Sequence, residues 1–185
     1  MSGAAGTTRP RTPPIVSIVG RSGSGKTTLV EKLVRELVTR GYRVAVIKHH
    51  RHAGLRVDTP GKDTWRFAQA GADHVMLTGP DVAYHVRHYE EEPDLEELTS
   101  CIDQVDLIIT EGYKEADTPK IEVIRGFEEP LLVSNPNQVA AVASDRALDM
   151  NKRRFDIDDA IPLVDFIEAR FIAHEPSDQD GEEGS

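Results

Sequence analysis

Short apolar runs alternate along the chain with segments whose apolar positions repeat at helical spacing. Residues 15–19 are a mainly β-branched run that ends at Gly20, which predicts a buried strand. Over residues 26–40 apolar side chains recur at four-residue steps, so this segment is predicted to be a helix with one buried face. Gly41 supplies its C-cap, and residues 42–47 are predicted to form a second strand.

The rest of the chain continues this alternation. A polar loop at 49–60 leads to a short predicted helix, and a turn at 78–81 joins two runs that we expect to pair as an antiparallel hairpin. The predicted strands are 73–77, 82–86, 105–110, 120–125, 131–133 and 139–143, and the predicted helices are 62–70, 93–101 and 158–172.

Continuous apolar strands that alternate with helices are typical of a mostly parallel sheet. We therefore predict an α/β fold, in which helices flank the sheet and the hairpin forms an antiparallel edge. The pattern G-x-x-x-x-G-K-[ST] at residues 20–27, between the first strand and the first helix, makes this a fold of the phosphate-loop NTPase type. A length of 185 residues suits one domain, which we place at residues 14–173. The segments 1–13 and 174–185, the second of them acidic, lack a hydrophobic period and are predicted to be disordered tails.

Charge and cysteine content narrow the classes of function. The chain has 22 Lys and Arg against 32 Asp and Glu, a net charge of −10, which disfavours binding to nucleic acid or to anionic membranes. Cys101 is the only cysteine, so an internal disulfide framework is excluded and a reducing compartment fits. Because apolar runs stay well below the ~20 residues that span a bilayer, we expect a cytoplasmic protein.

The strongest chemical motif lies between the first predicted strand and the first predicted helix. Residues 20–27 fit the pattern G-x-x-x-x-G-K-[ST], in which glycines let backbone N–H groups converge on phosphate oxygens. The start of a helix adds the positive end of its dipole. Lys26 should reach the β- and γ-phosphates, and Thr27 should ligate Mg²⁺. The predicted nucleotide-binding residues here are Gly20, Ser22, Gly23, Ser24, Gly25, Lys26, Thr27 and Thr28.

Two carboxylates are candidates for the same site. Glu111 follows the strand 105–110, and open α/β sheets bind ligands at the carboxyl ends of their strands. A carboxylate there can hold Mg²⁺ or its water, whereas Asp106 begins that strand and is interpreted as a turn residue. Asp58 is a second candidate ligand, or else a turn residue before a proline. We therefore expect Lys26, Glu111 and Asp58 as catalytic residues, and Thr27, Glu111 and Asp58 as metal ligands.

Two other features of the same edge have weaker chemical signals. Three histidines, at 49, 50 and 52, could suggest a transition metal, but structural zinc sites usually combine separated pairs, often with cysteine. A loop that meets a nucleotide or a second ligand fits better. The guanine-binding pattern N-K-x-D is not satisfied, because Arg154 stands where aspartate is required. Asp145, after the strand 139–143, is the remaining candidate for binding a base edge, or else an ordinary turn residue.

Several stretches together resemble the MobB family, the molybdopterin-guanine dinucleotide biosynthesis adaptor proteins. The more specific ones are residues 58–63 after Lys48 and His49, and residues 111–114 followed by 119–122. The similarity extends over about residues 14–173. The matching stretches are 19–29, 43–49, 58–63, 70–72, 106–114, 119–123, 143–145 and 155–159.

The resemblance implies a cytoplasmic, homodimeric protein that binds GTP, hydrolyses it weakly at most, and assists the molybdopterin guanylyltransferase that joins GMP to molybdopterin. Two other classes remain open on the residues. A small-molecule kinase requires an arginine-bearing lid, and Arg51 and Arg56 lie in a loop too short for a clear one. A nickel metallochaperone GTPase requires a Cys and His site, and Cys101 lies on a predicted helix away from the histidines.

Overall fold

The computed structural model of the protein describes residues 12–50, 55, 58–126 and 132–173. The chain divides into two compact units, one formed from Met1–His49 with Ile102–Ser185 and the other from His50–Cys101. The predicted C-terminal tail, and the predicted N-terminal tail up to residue 11, lie outside the described residues, as do Arg51, His52 and Arg56.

Helices and strands alternate in chain order much as the hydrophobic pattern predicts. The strands are β1 (Ile15–Gly20), β2 (Val44–Lys48), β3 (His74–Thr78), β4 (Ala83–Arg87), β5 (Leu107–Glu111), β6 (Lys120–Ile124), β7 (Val139–Ser144) and β8 (Arg154–Asp156). The helices are α1 (Lys26–Thr39), α2 (Asp63–Gln69), α3 (Leu95–Thr99) and α4 (Ile161–Ile167), the last continued by a π-helical turn (Glu168–Ile172).

The first unit is built on a six-stranded sheet in the order β2-β5-β1-β6-β7-β8. Every neighbouring pair in it is parallel, which confirms the predicted parallel sheet. Ile18 of β1 and Lys48 of β2 both lie opposite Glu111 of β5. The carboxyl ends of these strands therefore meet at one edge, where the phosphate-loop sequence also begins.

One face of this sheet packs on the helices α1 and α4 in a single apolar cluster. The stripe predicted for the first helix is confirmed at Leu29, Leu33 and Leu37, which have no exposed surface, but not at its end, where Val38 is exposed. The strand residues in this cluster alternate along each strand, as expected for one face of a sheet. They are Val16, Ile18, Leu107, Ile109, Ile121, Val123, Ala141 and Ala143.

The opposite face of the same sheet buries polar side chains, of which Lys120 is the largest. Its ammonium donates to the carbonyl oxygens of Ala116 and Thr118 and to Oε1 of Gln138, at 2.5, 3.1 and 3.0 Å. Burial lowers the pKa of Lys120 below its ordinary value of 10.5. These bonds fix the connection from β5 to β6 against the amino ends of the strands, away from the phosphate loop.

Glu122, two residues further along β6, is also almost completely buried. Its carboxylate accepts from the backbone N–H of Val133 at 2.6 Å and from the hydroxyl of Ser134 at 2.5 Å. The strand predicted at residues 131–133 is wrong for Leu132 and Val133, which are not in a strand, and residue 131 lies outside the described residues. A buried carboxylate, rather than a neighbouring strand, is the partner of this backbone.

The second unit contains the predicted hairpin, and its antiparallel pairing of β3 with β4 is confirmed. The two strands form a sheet of their own rather than an edge of the parallel sheet. The helix α2 packs on β3, and Asp94 caps α3 by accepting from the N–H of Glu97 at 2.7 Å. No helix among the described residues is long and apolar enough to cross a membrane.

Candidate phosphate-binding site

The loop between β1 and α1 has a backbone that its glycines make possible. Gly20, Gly23 and Gly25 have φ angles of 147°, 75° and 93°, which residues with a side chain rarely adopt. A Cβ at Gly20 would lie 2.5 Å from the carbonyl oxygen of Val123 in β6. The glycine at this position therefore lets the loop begin in direct contact with the neighbouring strand.

The start of α1 is open toward an anion. Its N-cap, Gly25, has no side chain to satisfy the first N–H groups of the helix, at Lys26, Thr27 and Thr28. The hydroxyl of Ser24 is buried and makes no hydrogen bond within the described part of the chain. The ammonium of Lys26 donates to the carbonyl oxygen of Arg21 at 2.6 Å, so it lies over its own loop. Backbone N–H groups, a hydroxyl and an ammonium are the kinds of donor that bind phosphate oxygens.

Thr27 and Glu111, predicted from separate motifs, come together at this edge. The Thr27 hydroxyl donates to both carboxylate oxygens of Glu111, each at 3.0 Å. The ammonium of Lys48 lies 3.3 Å from Thr27 Oγ1 and 3.2 Å from Glu111 Oε1. A hydroxyl and a carboxylate beside an open phosphate loop are the oxygen ligands that suit a hard cation such as Mg²⁺.

The backbone after β5 holds Glu111 in this position. The N–H of His49 donates to the carbonyl oxygen of Glu111 at 3.0 Å, and the N–H of Gly112 donates to that of Ile18. Gly112 has a φ of 106°, and a Cβ there would lie 3.0 Å from the Cβ of His49. Tyr113 is also left-handed, with its ring 5.0 Å from that of His49. This tight turn fixes the carboxylate between β1 and β2.

Asp58, the second predicted metal ligand, belongs to the other unit. Its Oδ1 accepts from the N–H of the next residue, Thr59, at 2.7 Å. Within its own unit it lies at a groove of about 320 Å³ that it shares with α2 and the hairpin. The other lining residues are Thr64, Val75, Leu77, Tyr84 and Val86.

Asp145 follows β7, on the same edge of the sheet as the phosphate loop. One carboxylate oxygen lies 3.6 Å from Nε of Arg125, and both side chains are partly exposed. Arg125 in turn reaches the loop, since its Nη1 lies 3.5 Å from the position of a Cβ on Gly25. Arg125 therefore lies between Asp145, the candidate base-binding residue, and the phosphate loop.

The sequence pattern places Lys48 at this edge without a specific role, and it does not identify Arg125 as a site residue. Lys48 ends β2 and Arg125 directly follows β6, and both strands are parallel members of the same sheet, β2 beside β5 and β6 beside β1. The signal was available, because carboxyl ends of parallel strands share an edge and a cation there meets an anionic ligand. Recognising that these two cations share one edge requires the strand order, which the sequence pattern alone does not provide.

The loop that contains His49, His50 and His52 does not form a metal site with Cys101 in the part of the chain that the structure describes. Among those residues, no three His, Cys, Asp or Glu side chains come together as a metal-ligand set. Cys101 is exposed. The loop itself is described only in part, since Arg51 and His52 fall outside the described ranges.

Comparisons with known proteins show one family of similar sequences. The family model described as MobB, molybdopterin guanine dinucleotide synthesis protein B, matches residues 15–145. A molybdopterin-guanine dinucleotide biosynthesis adapter protein of Haemophilus influenzae is 38% identical over 84% of this chain and 88% of its own length. The Escherichia coli adapter protein of the same description is 37% identical over 83% of this chain and 91% of its own.

Solved structures extend the agreement to the fold. The crystal structure of Bacillus subtilis MobB superimposes with a TM-score of 0.72 at 28% identity, over 87% of this chain and 99% of that one. The sequence and the fold of this chain thus match one family along most of its length. The phosphate loop and the Thr27–Glu111 pair lie within the matched residues. The protein belongs to the MobB family.

Proposed function

We propose that this protein is a GTP-binding adaptor of molybdenum cofactor biosynthesis, which assists a separate molybdopterin guanylyltransferase in attaching GMP to molybdopterin. The observation that carries the proposal is the Thr27–Glu111 pair beside the open start of α1, in a chain of the MobB family. We further propose that it acts in the cytoplasm and as a homodimer, with any GTP hydrolysis weak.

The nucleotide would be held by its phosphates at the loop of residues 20–27. The backbone N–H groups of the loop and of the first turn of α1 donate to phosphate oxygens, and Lys26 turns from the Arg21 carbonyl to the β- and γ-phosphates. Mg²⁺, held by Thr27 and Glu111, would neutralise charge that develops between those phosphates. A role of Asp58 as a metal ligand stays a prediction from the sequence.

The two other classes of function receive no specific support from the described residues. A nickel metallochaperone requires a cluster of metal ligands, and none is formed among the residues that the structure describes. The arginines considered for a kinase lid, at 51 and 56, lie outside those residues. The adaptor function therefore stands as the proposal.

A pull-down tests this function. The protein is immobilised, and its retention of a molybdopterin guanylyltransferase is measured with and without Mg²⁺ and GTP. We expect the enzyme to be retained and GTP to increase its retention. Lys26→Ala should lose the effect of GTP, whereas Arg35→Ala, at an exposed position of the same helix, should keep it. Failure of the wild-type protein to retain the enzyme under any condition would refute the adaptor role. Equal retention with and without GTP would remove the nucleotide from that role.

A further inference from the structure

Lys48 and Mg²⁺ require the same two groups. The Thr27 hydroxyl has one proton, and it donates that proton to Glu111 at 3.0 Å. Its remaining lone pairs are what a metal ion would coordinate. The Lys48 ammonium donates toward this oxygen at 3.3 Å and also lies 3.2 Å from Glu111 Oε1. Lys48 therefore occupies the Thr27 oxygen and neutralises the Glu111 carboxylate, and a metal ion at this site would need both.

Burial explains why a cation is needed there before any ligand binds. The side chain of Glu111 is only 11% exposed, whereas that of Lys48 is 58% exposed. A carboxylate that is largely removed from water is costly unless a positive charge lies beside it. The ammonium of Lys48 provides that charge from the solvent side, at the end of a flexible stem that can move away at low cost.

We propose that Lys48 is the internal counter-ion of the magnesium site, so that its ammonium and the metal ion exclude each other. The inference rests on the magnesium site of the proposed function. An ammonium close to the Thr27 oxygen leaves no room for an ion that binds such oxygens at about 2.1 Å. Free Mg²⁺ must displace Lys48 unaided, whereas Mg²⁺ that arrives on a nucleotide brings phosphate ligands of its own. Lys48 thereby makes metal binding depend on nucleotide.

Titration of Mn²⁺, a spectroscopic substitute for Mg²⁺, into the nucleotide-free protein tests the proposal, with free Mn²⁺ followed by electron paramagnetic resonance. Lys48→Met should bind Mn²⁺ at least about fivefold more tightly than the wild-type protein, because a repelling charge close to the site is removed. Lys48→Arg should behave as the wild type. Arg43→Met removes an equal charge at the other end of β2, and should change the affinity by less than about twofold.

The same titration in the presence of GTP separates this proposal from the one on which it rests. If wild-type protein binds Mn²⁺ with GTP, and Glu111→Gln loses that binding, the magnesium site stands. Equal nucleotide-free affinities of Lys48→Met and the wild type would then overturn the counter-ion role alone. If neither the wild type nor Lys48→Met binds Mn²⁺, even with GTP, the magnesium site is wrong and the counter-ion role falls with it.

Discussion

At the carboxyl edge of the parallel sheet, acidic side chains are paired with cations before any ligand is present. Lys48 lies 3.2 Å from Glu111, and Arg125 lies 3.6 Å from Asp145. The second pair is substantially exposed, and exposed ion pairs contribute roughly 0–1 kcal/mol. A ligand that offers better partners can therefore replace Arg125 at Asp145 with little loss of stability.

Asp145 should determine the choice of base. Guanine presents N1–H and N2–H₂ as adjacent donors that one carboxylate can accept, whereas adenine has an acceptor at N1 and no amine at C2. We expect Asp145→Ala to reduce the preference for GTP over ATP by about tenfold, because unpaired polar groups penalise the wrong base. Competition binding with both nucleotides measures this ratio.

A loss of affinity for GTP but not for ATP distinguishes a residue that binds the base, as expected of Asp145, from one that binds the phosphates. Lys26→Ala should weaken GTP and ATP alike, since both nucleotides have the same phosphates. Equal binding of GTP and ATP by the wild-type protein would contradict any role of Asp145 in base choice.

Single residues differ in how far sequence predicts their place. The phosphate loop is predictable, because its backbone depends on nearby glycines such as Gly20 and Gly25. Glu111 is also predictable, because it directly follows a continuous apolar strand. Arg125 is not, because its nearness to Gly25 depends on the parallel register of β6 with β1, and these strands are far apart in sequence.

Among the elements, the end of α1 is tied to the π-helical turn after α4 by a charged network. The hydroxyl of Tyr42 donates to Oε1 of Glu168 at 2.5 Å, and Nη1 of Arg40 donates to Oε2 at 2.6 Å. The bond from Tyr42, and then that from Arg40, hold the pKa of Glu168 below its ordinary value of 4.5. This network joins the two helical segments on the packed face of the sheet.

Glu168→Gln should destabilise the protein in a pH-dependent way. Because the folded-state pKa of Glu168 is lowered, its ionised form stabilises the fold above pH 4.5, and this contribution is lost as the pH falls through the lowered pKa. We expect a loss of about 1–2 kcal/mol at pH 7, after allowance for partial exposure. Urea denaturation from pH 7 downward measures the free energy of unfolding.

The difference between Glu168→Gln and the wild type should shrink as the pH is lowered. Tyr42→Phe removes the first of the two bonds and leaves the carboxylate paired with Arg40, so its pH-dependent loss of stability should be smaller than that of Glu168→Gln. A difference that stays constant from pH 7 into the acid range would show that the charge of Glu168 does not stabilise the packing of these helices.

Elements are predictable where their own pattern is strong. The long helix α1 follows from its apolar period, and the buried strands follow from their continuous apolar runs. The three-residue strand β8 was not predicted, because only its pairing with β7 defines it. The closing helix begins at Ile161 rather than at the predicted residue 158. Pro162 lies in its first turn, where the missing N–H of proline costs no hydrogen bond.

At the scale of the whole molecule, the hairpin offers a surface for the proposed homodimer. Its two-stranded sheet has exposed apolar side chains, with Met76, Leu77 and Tyr84 at 61%, 54% and 62% exposure. An isolated hairpin is marginally stable, and its strand edges invite pairing. A twofold dimer that covers this sheet is an economical solution.

Light scattering at micromolar concentration should therefore give the mass of a dimer. Tyr84→Lys should shift the mass toward that of a monomer, because it places a charge on the apolar surface of the hairpin. Val38→Lys, at an exposed apolar position on α1, is the matched control and should leave the dimer intact. A monomeric wild-type protein under these conditions would contradict the proposed dimer.

The proposed function rests most directly on nucleotide binding at the phosphate loop, and calorimetric titration of GTP in the presence of Mg²⁺ measures that binding. Lys26→Ala removes the cation expected at the β- and γ-phosphates, at a position where the loop can tolerate a smaller side chain. We expect saturable binding to the wild-type protein, and an affinity at least about tenfold lower for the variant, which corresponds to about 1.4 kcal/mol. An unchanged affinity, or no binding to the wild-type protein, would contradict the proposed function.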